Sequence, residues 1–255
     1  MDKMVASADL AVRDVGNCAR LAVGGFGICG VPSDLIKALE RQGATDLEVV
    51  SNNCGIDDTG LGLLLTAGRI KRMIGSYLGE NKELARRYLG GEIEIELTPQ
   101  GTLAERLRAG GSGIPAFYSL AGVGTQVADG GLPWRYAQDG SVAVSSPPKE
   151  VRDFDGQNYV LERGIVCDFA LVRAARGDRH GNLVYHAAAR NFNPLAAMAG
   201  RVTIAEVEEL VGPGEIDPDQ IHTPGIFVHR VVVAEPGEKP MERRTTRSGH
   251  GEAGH

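Results

Sequence analysis

The sequence predicts an α/β fold, a mostly parallel sheet with helices on both faces. Three observations carry that expectation. Short apolar runs of strand length alternate with segments whose apolar residues recur at helical spacing. The run Leu21-Ala22-Val23 feeds Gly24-Gly25-Phe26-Gly27-Ile28-Cys29-Gly30-Val31-Pro32 and then Ser33-Asp34-Leu35-Ile36-Lys37-Ala38-Leu39, which reads as strand, glycine loop and helix. One segment, Glu92-Ile93-Glu94-Ile95-Glu96-Leu97, alternates strictly, as a strand with one wet face does.

Leu10, Val12 and Val15 predict a short amphipathic helix ahead of a strand over 20–24. Four glycines within 24–30 allow positive φ and a close approach to the main chain, so backbone N–H groups line this loop. Pro32 or Ser33 starts the next helix, whose first-turn donors and dipole favour an anion such as a phosphate or carboxylate. Gln42-Gly43 closes it, and a second strand over 47–51 completes a βαβ unit. A polar loop over 52–58 precedes a short helix over 61–67, a third strand over 70–77 and a helix over 81–88. The alternation over 92–97 puts that strand at a sheet edge or a subunit border. Thr98 suits the cap and Pro99 the first position of a helix that continues over 103–108. A second glycine-rich loop covers 110–115, and 127–156 reads as an excursion of irregular structure or short hairpins. Strands over 166–172 and 183–185 pair through a turn at 176–182. A helix over 194–200 and strands over 202–207 and 226–233 complete one domain, residues 1–235. Pro, Gly, charge and His fill 236–255, which predicts a flexible tail.

Composition narrows the function. A net charge of −6 argues against nucleic acid as a partner, since such a protein carries a basic face. The first ten residues hold acids where a signal peptide needs an apolar core, and no later run is apolar enough to span a bilayer, so a cytoplasmic location away from membranes is expected. Cys18, Cys29, Cys54 and Cys167 form no CxxC pair, which points to buried or loop thiols and to neither zinc nor disulfides.

Gly25-x-Gly27-x-x-Gly30 fits the dinucleotide fingerprint, and it follows a strand as that motif requires. The second strand, however, ends Ser51-Asn52-Asn53, without the acid that would hold a ribose hydroxyl. The simpler reading of the motif is a turn that lets helix and strand pack closely. Asn52 and Asn53 fall just beyond a strand's C-terminal end, where open α/β sheets place ligands, and equally form a common turn.

The glycine loop closely resembles the amino-terminal signature of the family I CoA-transferases of the succinyl-CoA:3-ketoacid type. Further stretches resemble the same family: Ser51-Asn52-Asn53-Cys54-Gly55, Gly79-Glu80-Asn81-Lys82-Glu83, Glu96-Leu97-Thr98-Pro99-Gln100-Gly101-Thr102-Leu103-Ala104-Glu105-Arg106, Gly113-Ile114-Pro115-Ala116-Phe117-Tyr118 and Ala189-Arg190-Asn191-Phe192-Asn193-Pro194. The likeness covers residues 5–235 and is to the A (α) subunit of two-subunit enzymes. Cys18 departs from it, since the signature usually has Gly or Asn there.

The resemblance implies the CoA-transferase fold and transfer of CoA between two carboxylic acids through a glutamate, as an acyl anhydride and then a glutamyl-CoA thioester. It implies a CoA thioester as substrate, with no permanently bound cofactor and no metal. In the family that glutamate lies in a Ser-Glu-Asn-Gly motif of the B (β) subunit. The nearest string here is Gly79-Glu80-Asn81-Lys82, whose Glu80 reads as a first-turn carboxylate near a helix dipole. The chain alone is therefore expected to be inactive and to pair with a B subunit, giving an A2B2 heterotetramer. Gln100 is implied to lie beside the pocket and donate to the thioester carbonyl oxygen, a role worth ~3 kcal/mol. Gly24, Gly25, Phe26, Gly27, Ile28, Cys29 and Gly30 are implied to contact CoA or shape the pocket near its thiol, and Asn52 and Asn53 to hydrogen-bond a substrate carboxylate. Arg190 could meet a phosphate or carboxylate, though a turn is the safer reading. The implied donor is succinyl-CoA and the acceptor acetoacetate or 3-oxoadipate. The alternatives are another short-chain acid pair, a nicotinamide oxidoreductase and a non-catalytic ligand sensor.

Overall fold

The computed structural model describes residues 1–79 and 81–237. In chain order the first half holds α1 (Ala8–Val12), β1 (Arg20–Val23), α2 (Ser33–Gln42), β2 (Leu47–Val50), α3 (Leu61–Thr66), β3 (Ile70–Gly75), α4 (Lys82–Leu89), β4 (Glu94–Leu97) and α5 (Gln100–Gly111). An excursion follows, with β5 (Ala116–Ser119), α6 (Gln126–Asp129), β6 (Pro133–Tyr136), β7 (Val142–Ser145), β8 (Val151–Phe154) and β9 (Gln157–Arg163). The chain then returns through β10 (Cys167–Asp178), β11 (Leu183–Val184), α7 (Asn193–Ala199), β12 (Gly200–Val211) and β13 (Arg230–Val233).

The main sheet runs β13-β12-β10-β1-β2-β3-β4, with every neighbouring pair parallel and β11 antiparallel to β10. Successive strand residues serve opposite faces. Leu21, Val23 and Val49 join a core with Leu35, Ile36, Leu39, Leu64 and Leu84 from α2, α3 and α4. Ala22, Val50 and Ile74 join another with Leu103 and Leu107 of α5 and Ala196 and Ala197 of α7. Helices therefore cover both faces, as the near-continuous apolar strands require.

β4 is the edge strand, as its alternation predicted, but its second face is not wet. Glu96 is 8% exposed. Arg72 Nη2 and Arg106 Nη1 each donate to it at 2.6 Å. The sequence cannot show this, because the arginines that cover the glutamate arrive from β3 and α5. The same face carries a cross-strand ladder of alternating charge, Arg20, Glu48, Arg72 and Glu94, in register across β1 to β4. Its ion pairs span 2.7 to 3.7 Å, and Trp134 stacks on Arg72.

Other boundaries moved for physical reasons. Pro99 is the cap of α5 and Gln100 its first residue, one position later than expected. Gly110 and Gly111 belong to the last turn of that helix rather than to a loop; a Cβ on Gly110 would lie 1.9 Å from the Ile165 carbonyl oxygen. β10 and β12 are longer than their apolar runs because charged residues continue them as cross-strand pairs, Arg173 with Glu206 and Arg176 with Glu209. At the other end, 225–227 is a 3-10 turn, so the last strand starts at Arg230. The excursion does contain a hairpin, β6-β7, together with the three-stranded sheet β5-β9-β8, whose β5 and β9 had no clear signal. Of the tail expected over 236–255, residues 238–255 lie outside the described residues.

Cys18 explains its own departure from the resemblance: its φ of 62° is left-handed, a conformation Gly and Asn adopt with little strain. Cys18→Asn is expected to raise stability by about 0.5–1 kcal/mol. A guanidinium midpoint no higher than wild type would refute it.

Candidate active site

All the strand-to-helix loops on the β1 to β4 half leave from the same edge, because the strands are parallel. That edge gathers the glycine loop after β1, Asn52 and Asn53 after β2, Ser76 to Leu78 after β3 and Gln100 after β4. They enclose a pocket of about 300 Å³, lined by Phe26, Gly27, Asn52, Asn53, Gly55, Ile56, Ser76, Tyr77, Leu78 and Gln100. Phe26 and Tyr77 are 48% and 53% exposed and form an aromatic rim. As the first residue of α5, Gln100 sits at the positive end of that helix's dipole.

One hydrogen-bonded chain ties these residues together. Gln100 Nε2 donates to Asn52 Oδ1 at 2.7 Å, and Ser76 Oγ donates to the same oxygen at 2.8 Å. Asn52 Nδ2 donates to Asn53 Oδ1 at 3.1 Å, which also accepts from Gly27 N at 2.9 Å. Asn53 Nδ2 donates back to Gly27 O at 3.2 Å. Both asparagine oxygens are thus filled by two internal donors, and the pair is nearly buried, at 2% and 8% exposure. Asn52 and Asn53 are more than a turn: they set the glutamine and the glycine loop relative to each other. An amide NH₂ carries two donors, so Gln100 keeps one N–H for a ligand.

Of the residues singled out from sequence, Gln100, Asn52, Asn53, Phe26 and Gly27 meet in this pocket. Ile28, Cys29 and Gly30 instead line a second cleft of about 340 Å³ with Arg173, His186 and the alanines 187–189. Gly24 and Gly25 line neither cleft. The close approach that the glycines allow is made, at Gly24 and Gly30, by the protein's own chain. A Cβ on Gly24 would lie 1.9 Å from Asn193 Oδ1, and one on Gly30, at φ +70°, would lie 2.7 Å from the Ala189 carbonyl oxygen.

Asn193 is the residue that sequence reasoning missed. It is fully buried, accepts from Arg173 N at 3.0 Å, and donates through Nδ2 to Gly30 O and Ala189 O, both at 2.9 Å. Its only local signal is its place directly before Pro194 at the start of α7. The anion expected at the start of α2 is also internal. Glu206 Oε2 accepts from Asp34 N at 2.9 Å and Leu35 N at 3.1 Å, so a carboxylate of this chain takes the first-turn donors. Arg190 is exposed at the end of a 3-10 turn, Ala187–Arg190, in keeping with the turn reading. Glu80 lies outside the described residues. Cys54 and Cys167 are buried, and loss of hydration pushes both thiols up to about 12, which leaves them unreactive. Cys18 is exposed and Cys29 half-buried.

Chemically, the pocket can donate hydrogen bonds and shed water from an apolar rim. Among the described residues, none that lines it is an Asp, Glu, Cys, Lys or His, so these residues bring no strong nucleophile. Among the described residues no three His, Cys, Asp or Glu side chains are grouped to hold a metal ion, and no helix is long and apolar enough to cross a membrane.

Known proteins resemble the chain in sequence and fold. The chain is 68% identical over 247 residues to the probable A subunit of the succinyl-CoA:3-ketoacid coenzyme A transferase of Mycobacterium tuberculosis, covering 97% of this chain and all of that protein. It is 52% identical to the Bacillus subtilis protein of the same description, covering 99% and 100%. The human mitochondrial succinyl-CoA:3-ketoacid coenzyme A transferase 2 is 51% identical over 234 residues, and the chain spans 45% of its length. Among solved structures, an acyl-CoA transferase of Escherichia coli O157:H7, as a thioester complex with CoA, superposes with a TM-score of 0.76 at 25% identity. That match covers 91% of this chain and 47% of the longer one. Residues 5–234, which carry the whole sheet and both walls of the pocket, match the Coenzyme A transferase family, and the chain belongs to it.

Proposed function

We propose that the chain is the A subunit of a 3-oxoacid CoA-transferase that moves CoA from succinyl-CoA to a 3-oxo acid, acetoacetate or 3-oxoadipate. The observation that carries this reading is a pocket whose described lining residues can hold and polarise an acyl group yet include no carboxylate or thiol. The missing carboxylate comes from a B subunit, supplied by a glutamate in a Ser-Glu-Asn-Gly motif, in an A2B2 heterotetramer. That glutamate attacks the thioester carbonyl, and negative charge grows on the carbonyl oxygen. The remaining N–H of Gln100 donates to it there, backed by the α5 dipole. Departure of the CoA thiolate leaves an anhydride on the glutamate, and return of the thiolate gives glutamyl-CoA and a free acid. The second acid then reverses both steps. No resident cofactor is needed, because the thioester's energy stays in acyl bonds to the glutamate. Phe26, Tyr77 and the glycine loop close the acyl site against water, and Asn52 and Asn53 hold Gln100 in register.

Reconstitution tests the division of labour. Succinyl-CoA:acetoacetate transfer is expected only when the purified chain is mixed with its Glu-bearing B subunit. Turnover by the chain alone would place the nucleophile on this chain and end the two-subunit reading.

A further inference from the structure

Behind the glycine loop lies a buried charge pair that the catalytic scheme does not use. Glu206 of β12 is fully buried. Its Oε2 accepts from the Asp34 and Leu35 amides in the first turn of α2, and its Oε1 accepts from Arg173 Nη1 at 2.5 Å. The main-chain N–H of Arg173 donates to Asn193 Oδ1, and Asn193 in turn holds Gly30 O and fills the space beside Gly24. Both ends of the glycine loop thus rest on one framework: Gly24 against Asn193, and Gly30 with the following helix against Asn193 and Glu206.

We propose that Glu206 and Arg173 are positioning residues for the transfer reaction, which together hold the glycine loop in the shape that lines the acyl pocket. The inference rests on the reading that this loop borders the reacting site. Glu206 must be ionised to do this. A protonated carboxyl would turn one of its oxygens into a donor among N–H donors. The charged groups around it are Arg173 on β10 and Asp34 on α2, with Glu208 paired to Arg173 at 3.3 Å and Lys37 to Asp34 at 3.7 Å. β13 sets apolar Val232 opposite it. Burial pushes its carboxyl up to about 7, with Asp34 adding to the rise and Arg173 and the two amides opposing it.

The test uses the chain assembled with its B subunit, comparing wild type, Glu206→Gln and Gly27→Ala from about pH 6 to about pH 8. Glu206→Gln is expected to lose at least ~10-fold in kcat while KM for succinyl-CoA stays within about twofold. The rise of kcat with pH in the wild type should flatten in the variant. A wild-type rate, a change in KM alone, or a lower kcat with an unchanged pH profile would each overturn the proposal. Gly27, at φ +58°, reports on the underlying reading: full activity in Gly27→Ala would show that the loop does not border the site. A slow Gly27→Ala beside a normal Glu206→Gln would reject the positioning role alone. Should Glu206→Gln fail to assemble, Arg173→Lys takes its place. It keeps the charge but not the fork that reaches Glu206 and Glu208 together, and the same loss in kcat is expected. An unchanged kcat and pH profile there would overturn the proposal too.

Discussion

Gln100→Ala in the assembled enzyme is expected to lower kcat by ~100-fold, the loss of one donor to a developing oxyanion, or close to 3 kcal/mol. The barrier and not the fold should change. Gln100 is exposed, so its truncation opens no core cavity. Asn52 Oδ1 keeps the Ser76 hydroxyl as a donor, and Asn53 stays bonded to Gly27, so the rest of the network survives. Assembly and melting temperature should therefore match wild type, with KM for succinyl-CoA nearly unchanged. Turnover within a factor of two of wild type would remove the glutamine from the transition state.

Stability should depend on pH through Glu206, with a sign opposite to that of most carboxylates. Its folded pKa of about 7 lies above the ordinary 4.5, so between these values the native state holds a proton that the unfolded chain has released. Stability is then fullest below the unfolded value and is lost as pH rises through the folded one, by about 3 kcal/mol in total. His222 and His229 titrate in the opposite sense. Burial lowers both, and each accepts a backbone N–H through Nδ1, from Tyr185 and Thr203, which only the neutral ring can do. Their contribution is lost as pH falls below the ordinary 6.5. The two effects separate in the difference between wild type and Glu206→Gln, where the histidines cancel. Melts of the purified chain at pH values from about 5 to about 8 should show wild type losing ground to the variant as pH rises. A difference independent of pH would show that Glu206 does not change protonation in this range.

The two predictions mark how far the residues could be read in isolation. Elements whose signal is local were legible: the strands at Leu21 and Val49, the helix from Ser33 closed by Gly43, and the edge position of β4. So were the residues that a parallel sheet must bring to one edge, Gln100, Asn52, Asn53, Phe26 and Gly27, because each follows the C-terminal end of a strand. The sequence by itself thus determined the sheet, its helical layers and the family. Only the tertiary structure decided where charge is buried and why the loop glycines are glycines. Glu96 meets Arg106 ten residues away, Glu206 reaches the amide of Asp34 across 172 positions, and Asn193 fills the space beside Gly24. Periodicity records which face of an element is apolar, whereas a buried charge or a missing Cβ answers to a partner from another element, and that partner is known only once the chain has folded.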